Sequence, residues 1–103
     1  MKLLTKEIEK KFAEVGTQDG IPESEKKVIA KYFDPTGSMT WYAISYEPDR
    51  KMFFGYVTGT EFPEYGYFGL EQLEEIKLRW GLGIERDLHF GYDISIAEVK
   101  MVS

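Results

Sequence analysis

The sequence predicts an α+β fold, an antiparallel sheet of about four to five strands with two helices packed on it. Three observations predict it. An apolar stripe at helical spacing opens the chain. Period-two alternation, broken by Pro-, Gly- and Asp-containing turns, then runs from residue 27 to residue 68. Helical spacing returns at residue 70.

The first helix is expected over about Lys6–Val15. Thr5 is placed to cap it, because a threonine hydroxyl can accept from one of the orphan N–H groups of a first turn. Leu4, Ile8, Phe12 and Val15 form its apolar stripe. Gly16 suits the left-handed residue that ends a helix. The turn-rich segment Thr17–Ser24 reads as a loop.

Lys27–Phe33 reads as the first strand, closed by Asp34-Pro35-Thr36-Gly37. Met39–Tyr46 reads as the second, with Trp41, Ala43 and Ser45 alternating against Tyr42, Ile44 and Tyr46. Glu47-Pro48-Asp49-Arg50 has the composition of a tight reversal, with Pro at the second turn position. Lys51–Gly59 returns as a third strand. Its two sides carry Met52, Phe54 and Tyr56 against Phe53 and Val57, so the strand is expected to be central or covered on both faces. Tyr65–Phe68 follows the break at Pro63 as a short fourth strand.

A second helix is expected over about Leu70–Trp80, with Leu70, Leu73, Ile76 and Trp80 on one face and Gly81 and Gly83 ending it. Gly69 admits the chain into it. Ile84–Phe90 alternates again as a fifth strand or extended segment. Periodicity leaves Ile94–Met101 open between strand and short helix.

The 103 residues suit a single domain over 1–103. A chain of this size buries roughly 65% of its unfolded surface. Aromatic residues make up 16% of it, with seven Phe, seven Tyr and two Trp, and such rings supply large buried areas. The absence of cysteine excludes disulfides, a thiolate nucleophile and a Cys-based zinc site. The N-terminus turns polar after Leu3-Leu4, unlike a signal peptide, and no run approaches the roughly 18–20 apolar residues of a membrane span. A cytoplasmic location with no membrane contact is the expectation.

The formal net charge is −5, which argues against a nucleic-acid partner, since such binding rests on Lys and Arg neutralising phosphates. Charge is also uneven. Between Met52 and Ile76 there is no Lys or Arg, while Glu61, Glu64, Glu71, Glu74 and Glu75 all fall there. Lys2, Lys6, Lys10 and Lys11 gather at the N-terminus. These are either two solvated faces of opposite sign or an acidic surface that meets a basic partner.

Two places can carry chemistry. In an extended Ile84–Phe90, the side chains of Glu85, Asp87 and His89 share one side, a pattern suited to a divalent metal or to acid–base work and equally to a wet strand face. Alternation puts Arg86 on the apolar side, where a bidentate carboxylate or a ring holds it, or where it reaches a pocket and holds an anionic ligand. The second place is the aromatic group Trp41, Tyr42, Tyr46, Phe53, Phe54, Tyr56, Tyr65, Tyr67 and Phe68, which packs a core or offers rings to bases or a peptide. Gly66-Tyr67-Phe68-Gly69 lacks the ending and spacing of a phosphate loop, and Ser38, Ser45 and Ser95 lack a nucleophile elbow.

Several segments together resemble a known family. They are Leu3-Leu4-Thr5, Thr40-Trp41-Tyr42-Ala43, Phe54-Gly55, Gly66-Tyr67-Phe68 leading to Leu70 and Leu73, and Gly83-Ile84-Glu85-Arg86-Asp87-Leu88. In this order, over nearly the whole chain, they resemble domain-of-unknown-function family 2958, short bacterial proteins of plasmids, phages and mobile elements. The resemblance brings no catalytic residue, cofactor or activity. Its setting implies plasmid maintenance, transfer or handling of host defences.

The reading that results is a non-enzymatic binding module of a mobile-element-type bacterial protein. It contacts a partner protein through an acidic, aromatic-rich surface, with Trp41, Tyr56, Tyr65, Tyr67, Glu61, Glu64 and Glu71 as its binding residues. Glu85, Arg86, Asp87 and His89 form the alternative, a small enzyme or a ligand or metal site. A second alternative is a single-stranded nucleic-acid binder using exposed rings. No catalytic residue, resident metal or cofactor is expected.

Overall fold

The computed structural model describes residues 1–91 and 93–102. The chain forms helix α1 (Lys6–Val15), strands β1 (Ala30–Phe33), β2 (Thr40–Glu47), β3 (Met52–Thr58) and β4 (Glu64–Gly69), helix α2 (Leu70–Glu75), strand β5 (Glu85–Arg86) and helix α3 (Ile96–Val102). The five strands make one antiparallel sheet in the order β4-β3-β2-β1-β5. This is the α+β arrangement that the patterning predicts, with a third helix added.

Helix α1 starts where Thr5 Oγ1 accepts from the Ile8 N–H at 3.2 Å. It buries Ile8 and Phe12. Gly16 ends it by donating its N–H to the Phe12 carbonyl at 3.0 Å. Its φ of 64° is positive as expected, but its ψ of −148° lies outside the left-handed helical region, in territory that essentially only glycine occupies.

The sheet is covered on both faces. Tyr32, Trp41, Ala43, Phe53 and Phe68 pack with Leu3, Leu4, Ile8, Phe12, Leu73 and Ile84 beneath α1 and α2. On the opposite face Val28 and Ile44 meet Ile96 and Val99 of α3, flanked by Tyr42, Phe54, Tyr56 and Tyr65. Strand β3 lies between β2 and β4 with Phe53 fully buried, as its two-sided apolar pattern requires.

A β-bulge changes the expected alternation of β2. Ala43 faces Gly55, but Ser45 rather than Ile44 faces Phe54. The extra residue moves Tyr46 onto the Trp41 side, where its ring lies 4.8 Å from that of Phe53. At the bulge the backbones approach so closely that a Cβ on Gly55 would stand 1.9 Å from the Tyr42 carbonyl oxygen. Only glycine fits there.

Two further elements are corrected, and one left open is decided. Helix α2 stops at Glu75 instead of running to Trp80. Glu74 and Glu75 oppose the negative end of its dipole, and Ile76 and Leu78 reach the core from an extended segment. Trp80 is consequently 82% exposed in a 3-10 turn, not buried. Strand β1 begins at Ala30, because Lys27 and Val28 bond instead to Ser95 and Ile94. The segment left open near the C-terminus is helix α3, with Ser95 Oγ accepting from the Glu98 N–H at 3.2 Å. Ser95-Ile96-Ala97-Glu98 has the S-x-x-E capping pattern, a signal that would have settled that choice.

Candidate functional site

Strand β4 is a free edge of the sheet. The Leu70 N–H donates to the Lys51 carbonyl at 2.9 Å, and Lys51 and Leu70 continue the β3–β4 register. Antiparallel pairs alternate between bonded and non-bonded, so Phe68, Gly66 and Glu64 bond inward while Tyr65, Tyr67 and Gly69 turn their main-chain groups outward. The Gly69 N–H is satisfied by Gln72 Oε1 at 3.2 Å. The outward groups of Tyr65 and Tyr67 have no partner among the described residues.

The side chains of the same two residues lie on the α3 face. Tyr65 stacks with Phe54 at 5.8 Å and meets Tyr56 edge-on at 5.2 Å. Its hydroxyl donates to the Glu23 carboxylate, which also receives Lys100 Nζ. That ammonium lies 5.2 Å from the Tyr56 ring centroid and 4.9 Å from that of Tyr65. The ammonium and the tyrosine hydroxyl hold the Glu23 carboxyl below the usual carboxylate range. Partial burial, then the bond to Glu23, push the Tyr65 hydroxyl well above its ordinary value. Tyr56 and Tyr65 therefore already share an internal cation. Tyr67 does not; it is 71% exposed and 4.9 Å from Phe54.

The glutamates that the sequence groups together are divided by this strand. Glu61 and Glu64 are exposed at its start, and Glu71, Glu74 and Glu75 are exposed on the helix that follows it. A strand of this length separates them by about 17–20 Å. Among the described residues only Glu71 of these five is paired, to Lys51 at 3.2 Å. Phe62, 72% exposed, stands beside the first pair.

Trp41 is corrected. It is 7% exposed and packed in the core beneath the helices, because its position in β2 faces α1. The expected aromatic platform is thus split by the pleat. Trp41, Tyr46, Phe53 and Phe68 turn to one face, and Tyr42, Phe54, Tyr56, Tyr65 and Tyr67 turn to the other.

The alternative constellation does not assemble on one edge. Strand β5 contains only Glu85 and Arg86. It ends because Asp87 Oδ1 accepts from the His89 main-chain N–H at 2.9 Å, curling the chain out of the ladder. Asp87 Oδ2 faces Lys31 Nζ at 3.5 Å, and His89 is exposed. Among the described residues, no three His, Asp or Glu side chains converge as metal ligands. Arg86 is half-buried, and its Nε donates to the Lys2 carbonyl at 3.2 Å; among the described residues it meets no carboxylate.

Sequence reasoning passed over two features. Gln18, assigned only to a loop, is 5% exposed. Its Nε2 donates to the Lys27 carbonyl at 2.9 Å and the Ile44 carbonyl at 2.6 Å, while its Oε1 accepts from the Lys27 N–H at 2.7 Å. Gln18 thereby fills the place beside β2 that β1 leaves vacant. Next to it opens a cleft of about 380 Å³, walled by Phe12, Tyr46, Phe54 and Tyr67 and bordered by Asp19 and Glu47. No local motif announces it, since its walls come from α1, β2, β3 and β4.

Among the described residues no helix is long and apolar enough to cross a membrane. Comparison with curated proteins and with solved structures returned no match. The model of one family, described as a protein of unknown function (DUF2958), matches residues 3–101, and the chain belongs to that family.

Proposed function

We propose that the chain is a non-enzymatic binding module that contacts a partner protein through the acidic, aromatic surface along β4, in the mobile-element setting implied by its family resemblance. The observation that carries this reading is the open edge of β4, where the main-chain groups of Tyr65 and Tyr67 face outward between exposed glutamates. Edge strands are usually guarded by Lys, Pro, a bulge or a covering segment. Here Pro63 and Glu64 guard the beginning, and Tyr65–Phe68 carries no charge or proline. An extended segment can add to such an edge as a further strand. Glutamates at both ends of β4 favour a segment bearing Lys or Arg. The Asp87 and Arg86 side chains are committed to internal bonds, which supports binding over catalysis.

The test is capture from a native-host lysate, with and without nuclease, using the wild-type chain and the Glu64→Lys/Tyr67→Ala double variant. A protein held by the wild type after nuclease treatment and lost by the variant is the expected result. A captured protein retained equally by both places the contact elsewhere, and capture abolished by nuclease replaces the protein partner with nucleic acid.

A further inference from the structure

The cleft beside β2 has a chemistry of its own. Strand β2 runs to Glu47, but its pairing with β1 ends at Ala43. Within the ladder, β3 residues 53, 55 and 57 bond to β4, so 52 and 54 bond to Glu47 and Ser45 of β2. Tyr46 lies between these bonded positions and turns its main-chain N–H and carbonyl to the vacant side. Gln18 satisfies the Ile44 carbonyl but does not reach Tyr46. Tyr46 lines the cleft, and its carbonyl has no partner among the described residues.

Its walls are rings from both faces of the sheet, Phe12 and Tyr46 from one and Phe54 and Tyr67 from the other. Asp19 stands at its border with no partner for its carboxylate among the described residues, only its N–H being bonded, to Thr17 Oγ1 at 3.2 Å. Glu47 meets Arg50 at 3.6 Å with both side chains more than half exposed, a pair that an incoming cation replaces at small cost. Among the described residues no lysine or arginine lines the cleft.

We infer that this cleft binds a guanidinium group, the arginine side chain of the partner's extended segment. The group's flat face stacks on aromatic rings, and its fork of donors matches two carboxylates and a carbonyl. An ammonium lacks both the flat face and the spread of donors. A volume near 380 Å³ is of small-ligand size. Tyr67 belongs to both places: it lines the cleft, and its main chain lies on the β4 edge across β3. The inference rests on the proposed protein-binding role for its biological meaning, but the cleft can be probed without a partner.

The probe is N-acetyl-arginine methylamide, titrated into the isotope-labelled full chain and followed by amide and aromatic NMR shifts. The lysine and citrulline analogues are run in parallel. Saturable shifts at Phe12, Tyr46, Phe54 and Tyr67 are expected, with a dissociation constant of about 1 mM, the range accessible to a ligand of this size. The lysine analogue should bind at least about fivefold more weakly, and neutral citrulline should not saturate, because the recognition is cationic and planar. Asp19→Asn and Tyr67→Ala should each weaken binding at least about threefold, as removal of one carboxylate or ring predicts. Glu25→Gln, exposed and outside the cleft, should leave it unchanged. Melting curves and spectra confirm that each variant is folded. No saturation by about 20 mM, equal binding of citrulline, or shifts mapping elsewhere overturns the inference. A cleft that binds arginine in a chain whose β4 variants still capture their partner would retain this site and reject the β4 reading.

Discussion

Tyr32 and Arg86 stand opposite each other across β1 and β5 and hold consecutive carbonyls of the N-terminal segment. The Tyr32 hydroxyl donates to Leu3 at 2.8 Å, and Arg86 Nε donates to Lys2 at 3.2 Å. Leu3 and Leu4 are thereby laid against the sheet in front of α1. The guanidinium that alternation placed on the apolar side is a tether for main chain, not half of a buried ion pair.

The two members of this clamp should differ in cost. Tyr32 is fully buried, so Tyr32→Phe strands a carbonyl away from water and should destabilise by about 1–3 kcal/mol. Arg86→Ala leaves a carbonyl that water can reach and should cost about 0.5–1.5 kcal/mol, below the 3–5 kcal/mol or so of a broken buried ion pair. Urea melts of both variants measure the difference.

Gln18 bonds three main-chain groups with one amide. Gln18→Ala leaves the Ile44 carbonyl and the Lys27 N–H without partners, and the expected loss is about 2–3 kcal/mol. Its exposure should appear as faster amide exchange at Lys27. A loss below about 0.5 kcal/mol would mean that water substitutes fully.

Two tyrosines should resist alkaline titration. Burial raises the Tyr32 hydroxyl above its ordinary value, and partial burial together with Glu23 raises that of Tyr65. A folded-state value above the unfolded one contributes stability that is complete below about pH 10 and declines as pH rises through the folded value. Absorbance at 295 nm should therefore show Tyr32 and Tyr65 ionising last, together with unfolding. Tyr65→Phe should remove one of them. Glu23 has the opposite sign: its lowered value gives stability present above the unfolded carboxylate range and lost as pH falls through the folded one. Glu23→Gln should flatten that acid limb.

Single-stranded and double-stranded DNA should show no complex tighter than about 10 µM at physiological salt, because phosphate contacts dominate such affinity. Trp41 offers no ring to a base in the core, and Tyr56 and Tyr65 already face Lys100. Fluorescence anisotropy measures this. A submicromolar, salt-sensitive complex would point to Lys2, Lys6, Lys10 and Lys11.

What the sequence revealed follows from where local signals decide. The Thr5 cap and the β3 pattern apolar on both sides are each written in a few adjacent residues, and those elements stand as read; the reversal after β2 forms too, but the Lys51 N–H bonds the Pro48 carbonyl, so Pro48 takes the first turn position and not the second. The β2 bulge is not legible, because it depends on Gly55 of the neighbouring strand. One extra residue there moved Tyr46 and with it one wall of the cleft. Helix α2 lost its second half to the core contacts of Ile76 and Leu78, a tertiary override of helical spacing. The candidate surface was legible in composition, as glutamates and tyrosines without Lys or Arg. Its geometry was not, since the pleat buries Trp41 and only topology makes β4 an edge.

The central claim, that β4 receives a basic extended segment, is tested most directly by residue-resolved amide exchange at Tyr65 and Tyr67. In the free chain both N–H groups face outward and should exchange faster than those of Gly66 and Phe68, which bond to β3. With a saturating peptide of alternating lysine and valine that carries one arginine, both should slow at least about tenfold, as new inter-strand bonds require. Unchanged exchange at Tyr65 and Tyr67 with the peptide bound, or slow exchange there before any peptide is added, would contradict it.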